Sequence, residues 1–276
     1  MSLIESDASR KAAAAGGGLA AGIAGGLIGL GGAEFRLPLL SGLLAVPLRQ
    51  AVPLNLAVSL CVVLAALPLR LLQTDALPPS QFLPVALAIA IGAMMAAFKG
   101  ARLLLQLRAD RLAFLVKGLL ASLGVIMLVE AALPMPVAGL LTGHPVAELA
   151  GGLVIGLVIG LVSSLLGVAG GELIIPTLVI GYGVPVKAAG TLSILISVPA
   201  MTVGILRYWR LGGFRTSSME VFFKPMAAGS IVGAFFGAAM IGLVPAHALK
   251  IILGILLIWS AWHAVPVQSA GKSTGS

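Results

Sequence analysis

One twelve-residue stretch occurs twice in the chain and constrains the fold more than any other feature. The first copy runs from Gly29 to Leu40 and the second from Gly167 to Leu178, half a chain length later in 276 residues. Residues 27–59 align with 165–197 without a gap, and glycine, glutamate and proline are among the identical pairs. This match predicts two copies of one folding unit, each interrupted by a glycine pair next to a glutamate.

The composition predicts that both copies lie in a lipid bilayer. Apolar residues make up 59% of the chain and charged residues 9%, whereas a soluble domain has about 25% charged residues. The apolar runs do not alternate with polar residues as the strands of a membrane β-barrel do. The predicted fold class is therefore an all-α polytopic membrane protein. Nucleic-acid binding is not expected from the net charge of +8, because the basic residues lie in short loops between apolar runs.

Each half has the same plan of apolar runs. A first run leads to the break, at Gly31-Gly32 or Gly170-Gly171, and then come a short apolar piece and three full-length runs. We predict a first membrane repeat at 1–132, a linker at 133–148 and a second repeat at 149–276. The predicted helices cover 12–30, 35–44, 51–71, 81–98 and 112–131 in the first half, and 149–168, 173–182, 187–206, 222–243 and 247–265 in the second.

The first run of each half also carries glycines at four-residue spacing. This spacing places them on one helix face, where another backbone can approach closely. The glycines are Gly18, Gly22 and Gly26 in the first half and Gly152, Gly156 and Gly160 in the second.

The distribution of basic residues predicts the topology. The interrupted element forms either a re-entrant hairpin or a spanning helix with a short one, and both options invert the second half relative to the first. With the amino terminus in the cytoplasm, thirteen of the 17 Lys and Arg residues then lie inside and three outside. With four simple helices in each half, the same residues divide into nine inside and eight outside. The positive-inside rule favours the inverted repeats, with both termini cytoplasmic in a multi-pass protein of the cell inner membrane.

The two breaks predict a binding site for an anion. A helix that begins inside the membrane offers unpaired backbone N–H groups and a partial positive charge. Glycine lets a ligand approach these groups closely. In inverted repeats the two helix starts face each other near the midplane. The backbone candidates are Gly31, Gly32, Ala33, Gly170 and Gly171.

Several polar side chains belong to the same predicted site. Glu34 and Glu172 either cap the first turn of the short helices or carry protons. Arg36 has no counterpart in the second half, and it either pairs with Glu34 or binds the anion directly. Polar side chains of the following helices are candidates for lining a pathway; they are Asn55, Ser59, Thr191, Ser193 and Ser197. The Ser and Thr hydroxyls alternatively bond to their own helix backbone, whereas the amide of Asn55 needs partners if it is buried.

Other functional classes find little support. The three aspartates, Asp7, Asp75 and Asp110, lie outside the apolar runs, so no aspartyl dyad is expected in the membrane. The chain has no phosphate-binding loop of an ATP-driven pump, and its three histidines have no metal-ligand spacing. We therefore predict neither an enzyme nor a metal site, and no cofactor. Cys61 lies inside an apolar run and is interpreted as a small core residue.

The repeated motif resembles that of the TauE/SafE sulfite exporter family of membrane transporters. The pattern is G-x-G-G followed by P-x-L and, about ten residues later, a small polar segment. It comprises Gly29, Gly31, Gly32, Pro38, Leu40, Ala51, Pro53, Leu54 and Asn55, and again Gly167, Gly170, Gly171, Pro176, Leu178, Ala188, Thr191, Leu192 and Ser193. Two departures are Ala33, in place of a third glycine, and the Pro53 and Asn55 pair. The resemblance implies movement of sulfite or organosulfonates across the bacterial inner membrane.

Together these features predict a secondary transporter for a small anion, with or without proton coupling. A passive channel for an anion or a weak acid is the alternative. The expected partners are the small anionic substrate and the lipid bilayer, and the sequence does not predict an oligomeric state.

Overall fold

The computed structural model describes residues 7–28, 32–71, 78–132, 139–214, 216–239 and 246–263. These residues form helices and turns, with no β-strand among them. The helices of the first half are α1 (Asp7–Ile28), α2 (Ala33–Pro38), α3 (Leu48–Leu71), α4 (Leu83–Gln106) and α5 (Ala109–Ala132). Those of the second half are α6 (Pro145–Leu166), α7 (Gly171–Pro176), α8 (Val186–Arg210), α9 (Ser217–Ala239) and α10 (Ala246–His263). The two halves thus have the same order of long and short helices.

Six of the described helices are long and apolar enough to cross a bilayer: α3, α4, α5, α6, α8 and α9. This confirms the predicted class, an all-helical multi-pass membrane protein. Several helices extend beyond their predicted ends. α4 continues to Gln106 instead of ending near residue 98, and it includes Lys99 and Arg102. A long basic side chain can stay on a helix and still reach water at the membrane boundary, so charge alone did not mark the helix end.

The short helices do not cross the membrane by themselves. α2 and α7 have six residues each and end at a proline, Pro38 or Pro176. Each then widens into a five-residue π-helical turn, Leu39–Leu43 or Thr177–Gly181. Proline has no N–H and crowds the preceding turn, which a wider turn accommodates. At 1.5 Å per residue, each short helix with its π turn covers roughly half of a hydrocarbon core of about 30 Å.

Helices of the two halves pack against each other in exchanged pairs. α1 packs on α9, and its counterpart α6 packs on α4, the counterpart of α9. α5 likewise contacts its own counterpart α10, and α3 contacts α8. Exchanging the two halves therefore converts this set of contacts into itself. This pattern of contacts is expected when a two-fold rotation relates the two repeats.

Glycines make the exchanged contacts close. A Cβ added at Gly22 of α1 would lie 2.3 Å from the carbonyl oxygen of Ser230 on α9. On the equivalent pair, a Cβ at Gly156 of α6 would lie 2.2 Å from the carbonyl oxygen of Ile89 on α4. Gly18 and Gly160 meet facing carbonyls in the same way, and Gly152 makes a looser contact with Ala88. The predicted packing role of these glycines is confirmed; Gly26 lies outside the residues whose surroundings the structure describes.

Loops gather at two ends of the helix bundle. At one end Arg49 donates a hydrogen bond to the carbonyl of Leu107, and the hydroxyl of Ser218 bonds to Gln50 Oε1 at 2.8 Å. This end, where α4 and α8 finish and α3, α5 and α9 begin, is called the basic end. At the other end Leu141 N donates to Gly181 O at 2.8 Å, next to the start of α6. This is the linker end.

The two ends are separated by the length of α4. Its first turns lie beside the start of α6, since a Cβ at Gly152 would come 3.4 Å from Val85 O. Its last residue precedes Leu107 at the basic end. The 24 residues of α4 cover about 36 Å. The loop between α2 and α3 therefore lies at the basic end, and the equivalent loop between α7 and α8 lies at the linker end.

Candidate functional site

Both short helices begin at a glycine with a left-handed backbone. Gly32 has φ 70° before α2, and Gly170 has φ 79° before α7. Residues with a side chain rarely adopt this backbone conformation, which explains why glycine occupies the same position in both repeats. A Cβ at Gly32 would also meet the carbonyl oxygen of Ala21 at 1.9 Å. Of the other predicted backbone candidates, Ala33 and Gly171 are buried first residues of the short helices, and Gly31 lies outside the described residues.

One side chain joins the two breaks. The amide nitrogen of Asn55, on α3, donates to Ala33 O at 2.8 Å and to Leu166 O at 3.3 Å. Ala33 begins the first short helix, and Leu166 is the last residue before the second break. Asn55 is completely buried. The two interrupted elements therefore come within the reach of a single amide group, which contacts the start of α2 and the end of α6.

Side chains satisfy four successive carbonyl groups of the second break. The acceptors are the oxygens of residues 166–169, and the donors come from α3, α6 and α8. Asn55 bonds Leu166 O at 3.3 Å, Ser163 bonds Val168 O, and Ser197 bonds Ala169 O at 2.6 Å. The single hydroxyl proton of Ser59 is shared between Asn55 O of its own helix at 2.7 Å and Gly167 O at 3.3 Å. Non-helical backbone is tolerated inside a membrane only when neighbouring groups supply such hydrogen bonds.

Ser163 was missed by the sequence reasoning. It stands in an apolar helix shortly before the break, next to Ser164, whose carbonyl oxygen accepts the hydroxyl of Tyr208 at 2.8 Å. A pair of serines directly before an intramembrane break is a signal that could have indicated this role. The first half has Gly25 at the position equivalent to Ser163, so a search restricted to matching polar residues overlooks it.

Arg36 is a completely buried cation in this arrangement. Its Nε donates to Asn55 Oδ1 at 3.0 Å, and one terminal nitrogen donates to Ser59 Oγ at 2.8 Å. Both acceptors are neutral side-chain groups on α3, and these bonds fix the orientation of the guanidinium. Glu34 and Glu172 both interact electrostatically with it. A residue of the second half thus acts on the cation of the first half.

The remaining candidates are also buried. Glu34 and Glu172 are the second residues of α2 and α7, with 2% and 5% of their surface exposed. Within the part of the chain that the structure describes, Oε1 of Glu34 and Oγ1 of Thr191 have no hydrogen-bond partner. Thr191 and Ser193 lie on α8, which packs against α7. Thr191 is two turns before Ser197 on that helix.

The fold and this centre define a class. The protein is a multi-pass helical membrane protein in which two interrupted helices meet at a buried polar centre, and the buried charged residues that the structure describes there are Arg36, Glu34 and Glu172. The chain belongs to the family described as Sulfite exporter TauE/SafE, which it matches over residues 11–264 of 276. The predicted resemblance is confirmed. Membership implies a membrane transporter of sulfur-containing anions. In the comparisons with curated proteins and with solved structures, nothing matched.

Proposed function

We propose that the protein is a secondary transporter that moves sulfite or an organosulfonate across the cytoplasmic membrane. The observation that carries the proposal is the bridge of Asn55 between the two breaks, with the buried cation Arg36 bonded to the same side chain. Buried charge between discontinuous helices is typical of substrate sites in secondary transporters.

Two re-entrant hairpins of opposite direction form the core of the proposed topology. α1 lies parallel to α9, which begins at the basic end, and the loop after α2 returns to that end. α6 begins at the linker end, and the loop after α7 returns there. The counterparts α5 and α10 run antiparallel, because Gly124 approaches Ile258 while Gly254 approaches Leu128. These contacts support inverted repeats, and the positive-inside rule assigns the basic end to the cytoplasm.

Arg36 is the proposed primary contact of the anion. The guanidinium offers several N–H donors in one plane, which suits the oxygens of a sulfite or sulfonate group. Asn55 and Ser59 hold the guanidinium in position, and Ser197 holds the second break. In this proposal the N–H groups at the starts of α2 and α7 add positive potential for the anion. The hydroxyl groups of Thr191 and Ser193 supply further polar contacts from α8.

Protons are the proposed coupling ions, carried by Glu34 or Glu172. An ionised carboxylate next to a bound anion is unfavourable, since like charges repel strongly at low dielectric constant. Protonation of the carboxyl group removes this repulsion. Binding of the anion and of the proton then favour each other, and both cross the membrane together.

Transport by purified protein in liposomes tests the proposal. With an imposed proton gradient, radiolabelled sulfite or sulfoacetate is expected to accumulate above its external concentration. Arg36→Gln is expected to lose this transport while thermal unfolding shows a folded protein, and Arg36→Lys keeps part of it. Arg111→Gln, an exposed position on α5, is the control for loss of one charge. Movement only down the concentration gradient would instead indicate a passive channel.

The carboxyl groups are tested through the pH dependence of transport. Replacing the carrier, by Glu172→Gln or by Glu34→Gln, is expected to abolish the dependence of the initial rate on pH, because glutamine does not titrate; the substrate for this test is an alkanesulfonate, whose own charge does not change in this range. The rate in the variant then stays constant between about pH 5 and 8. If both single variants and the double variant keep the pH dependence of the unmodified protein, the proton-carrier role is rejected.

A further inference from the structure

Basic residues lie in the last two turns of α4 and the last turn of α8, toward the basic end and away from the transport centre. α4 contributes Lys99 and Arg102, and α8 contributes Arg207 and Arg210. All but Arg207 are exposed, and Arg207 is partly buried. The two helices pack side by side. We call these four residues, together with Phe98, the α4–α8 basic patch.

Arg207 is held in a fixed position within this patch. The centre of its guanidinium lies 4.2 Å from the ring centroid of Phe98, which is a cation–π contact between the two helices. Its Nε is buried and has no hydrogen-bond partner among the residues that the structure describes. The aromatic ring orients the cation but does not neutralise it. Because the Nε is enclosed by the protein, an external group with acceptor oxygens binds this cation through the terminal N–H groups of the guanidinium.

The acidic residue that follows α4 in the chain already has a basic partner. Asp110, at the start of α5, forms an ion pair with Arg108 at 4.0 Å. Within the described residues no carboxylate pairs with the four cations of the patch. Four basic side chains in this region therefore create a strong positive potential. Charge complementarity indicates an anionic occupant.

The depth and the neighbouring surface indicate what kind of anion this is. Arg207 stands one turn before the end of α8, near the end of the apolar span Ala188–Arg210. Phe98, the ring beside Arg207, is 44% exposed. Aromatic side chains near the end of a membrane span contact the glycerol and upper acyl region of lipids. A soluble anion would gain nothing from this ring, whereas a lipid meets both the cations and the aromatic surface.

We propose that the α4–α8 basic patch binds the headgroup of an anionic phospholipid in the leaflet at the basic end, with Arg207 on its phosphate. This site does not depend on the proposed substrate or on its coupling. It places an anionic lipid against α8, which also carries Ser197 of the transport centre.

Lipid titration of the purified protein tests this site. Native mass spectrometry would measure retention of phosphatidylglycerol and of phosphatidylcholine by the complete protein in detergent. Removing one positive charge near an anionic surface weakens lipid affinity by about fivefold. Arg111→Gln, at an exposed position outside the patch, is expected to show no more than this loss. Arg207→Gln is expected to show a clearly larger loss for phosphatidylglycerol and none for phosphatidylcholine.

A second variant and a competition measurement complete the test of the lipid site. Phe98→Leu retains all charges but removes the ring under Arg207, so it is expected to weaken phosphatidylglycerol binding even if Arg207→Gln does not fold. Inorganic phosphate at millimolar concentration is expected not to displace the lipid. Equal losses in Arg207→Gln and Arg111→Gln would overturn the site. Displacement by inorganic phosphate would show a soluble-anion site and would overturn the assignment to lipid.

Discussion

Ser197 illustrates how individual side chains compensate for the missing helical hydrogen bonds of a break. Its hydroxyl donates to Ala169 O, and Asn55, Ser59 and Ser163 serve the three preceding carbonyls. These residues have a structural task besides any contact with substrate. Asn55 and Ser59 also each accept a hydrogen bond from Arg36. Polar residues at a transport centre therefore include groups that hold the backbone open.

Ser197→Ala is expected to lower the free energy of unfolding by about 1 kcal/mol, because it leaves the buried carbonyl of Ala169 without its donor. Ser122→Ala is the matched control, because Ser122 is exposed and bonds only to Leu119 O on its own helix. Its effect should stay within about 0.5 kcal/mol. Unfolding in detergent, followed by circular dichroism, measures both. Equal effects of the two variants would contradict the role assigned to Ser197.

At the scale of helices, close packing between α1 and α9 depends on residues without a side chain. Gly22 faces the backbone of Ser230, and Gly233 on α9 faces the carbonyl of Leu19 on α1. Glycines of α4 and α6 face backbone carbonyl groups of the other helix in the same way. Van der Waals contact and backbone proximity stabilise helix pairs in lipid, where no hydrophobic effect favours association. α1 and α6 are therefore each packed closely against a helix of the other half.

Gly22→Ala is expected to destabilise the protein, because the new Cβ would lie 2.3 Å from a carbonyl oxygen of α9 and would force the helices apart. An overpacked contact of this kind costs about 1–3 kcal/mol. Gly16→Ala on the same helix has no atom within 4 Å of the new Cβ. It should be neutral or stabilising by up to about 1 kcal/mol through helix propensity. Thermal unfolding of both variants measures these effects. A Gly22→Ala protein as stable as the unmodified protein would refute the close contact.

At the scale of the whole molecule, the proposed inversion brings two hairpins from opposite membrane faces to one buried centre. The centre is not symmetric. Arg36 belongs to the first half, and Ile174 occupies the equivalent position in the second. Asn55 and Ser59, both from the first half, bond carbonyls of the second break. The repeats thus share a scaffold and differ in the polar groups that they contribute.

Accessibility labelling tests this topology. In a Cys61→Ser background without other cysteines, Leu140→Cys probes the linker end and Arg108→Cys probes the basic end. Both positions are strongly exposed. A membrane-impermeant maleimide added outside intact cells is expected to label the cysteine at position 140 and not the one at 108. After permeabilisation both should react. The reverse pattern would place the basic end outside.

The sequence by itself determined the class, the family and the element order. Apolar runs of sufficient length, the low fraction of charged residues and the repeated glycine break predicted long and short helices in the observed order. These features are local, since they depend on run length, composition and the backbone freedom of glycine. Helix ends were predicted less well. α4 extends past Lys99, because a flexible basic side chain reaches water without ending the helix.

Only the tertiary structure decided which polar groups meet. The sequence left Arg36 either paired with Glu34 or bound to an anion, and the structure shows it donating to Asn55 and Ser59 of another helix. It also showed that Asn55 joins both breaks and that Ser163 supports the second one. Such contacts connect residues up to 111 positions apart. They depend on how the helices pack against each other in three dimensions. Short segments of the sequence do not show which helices will pack together.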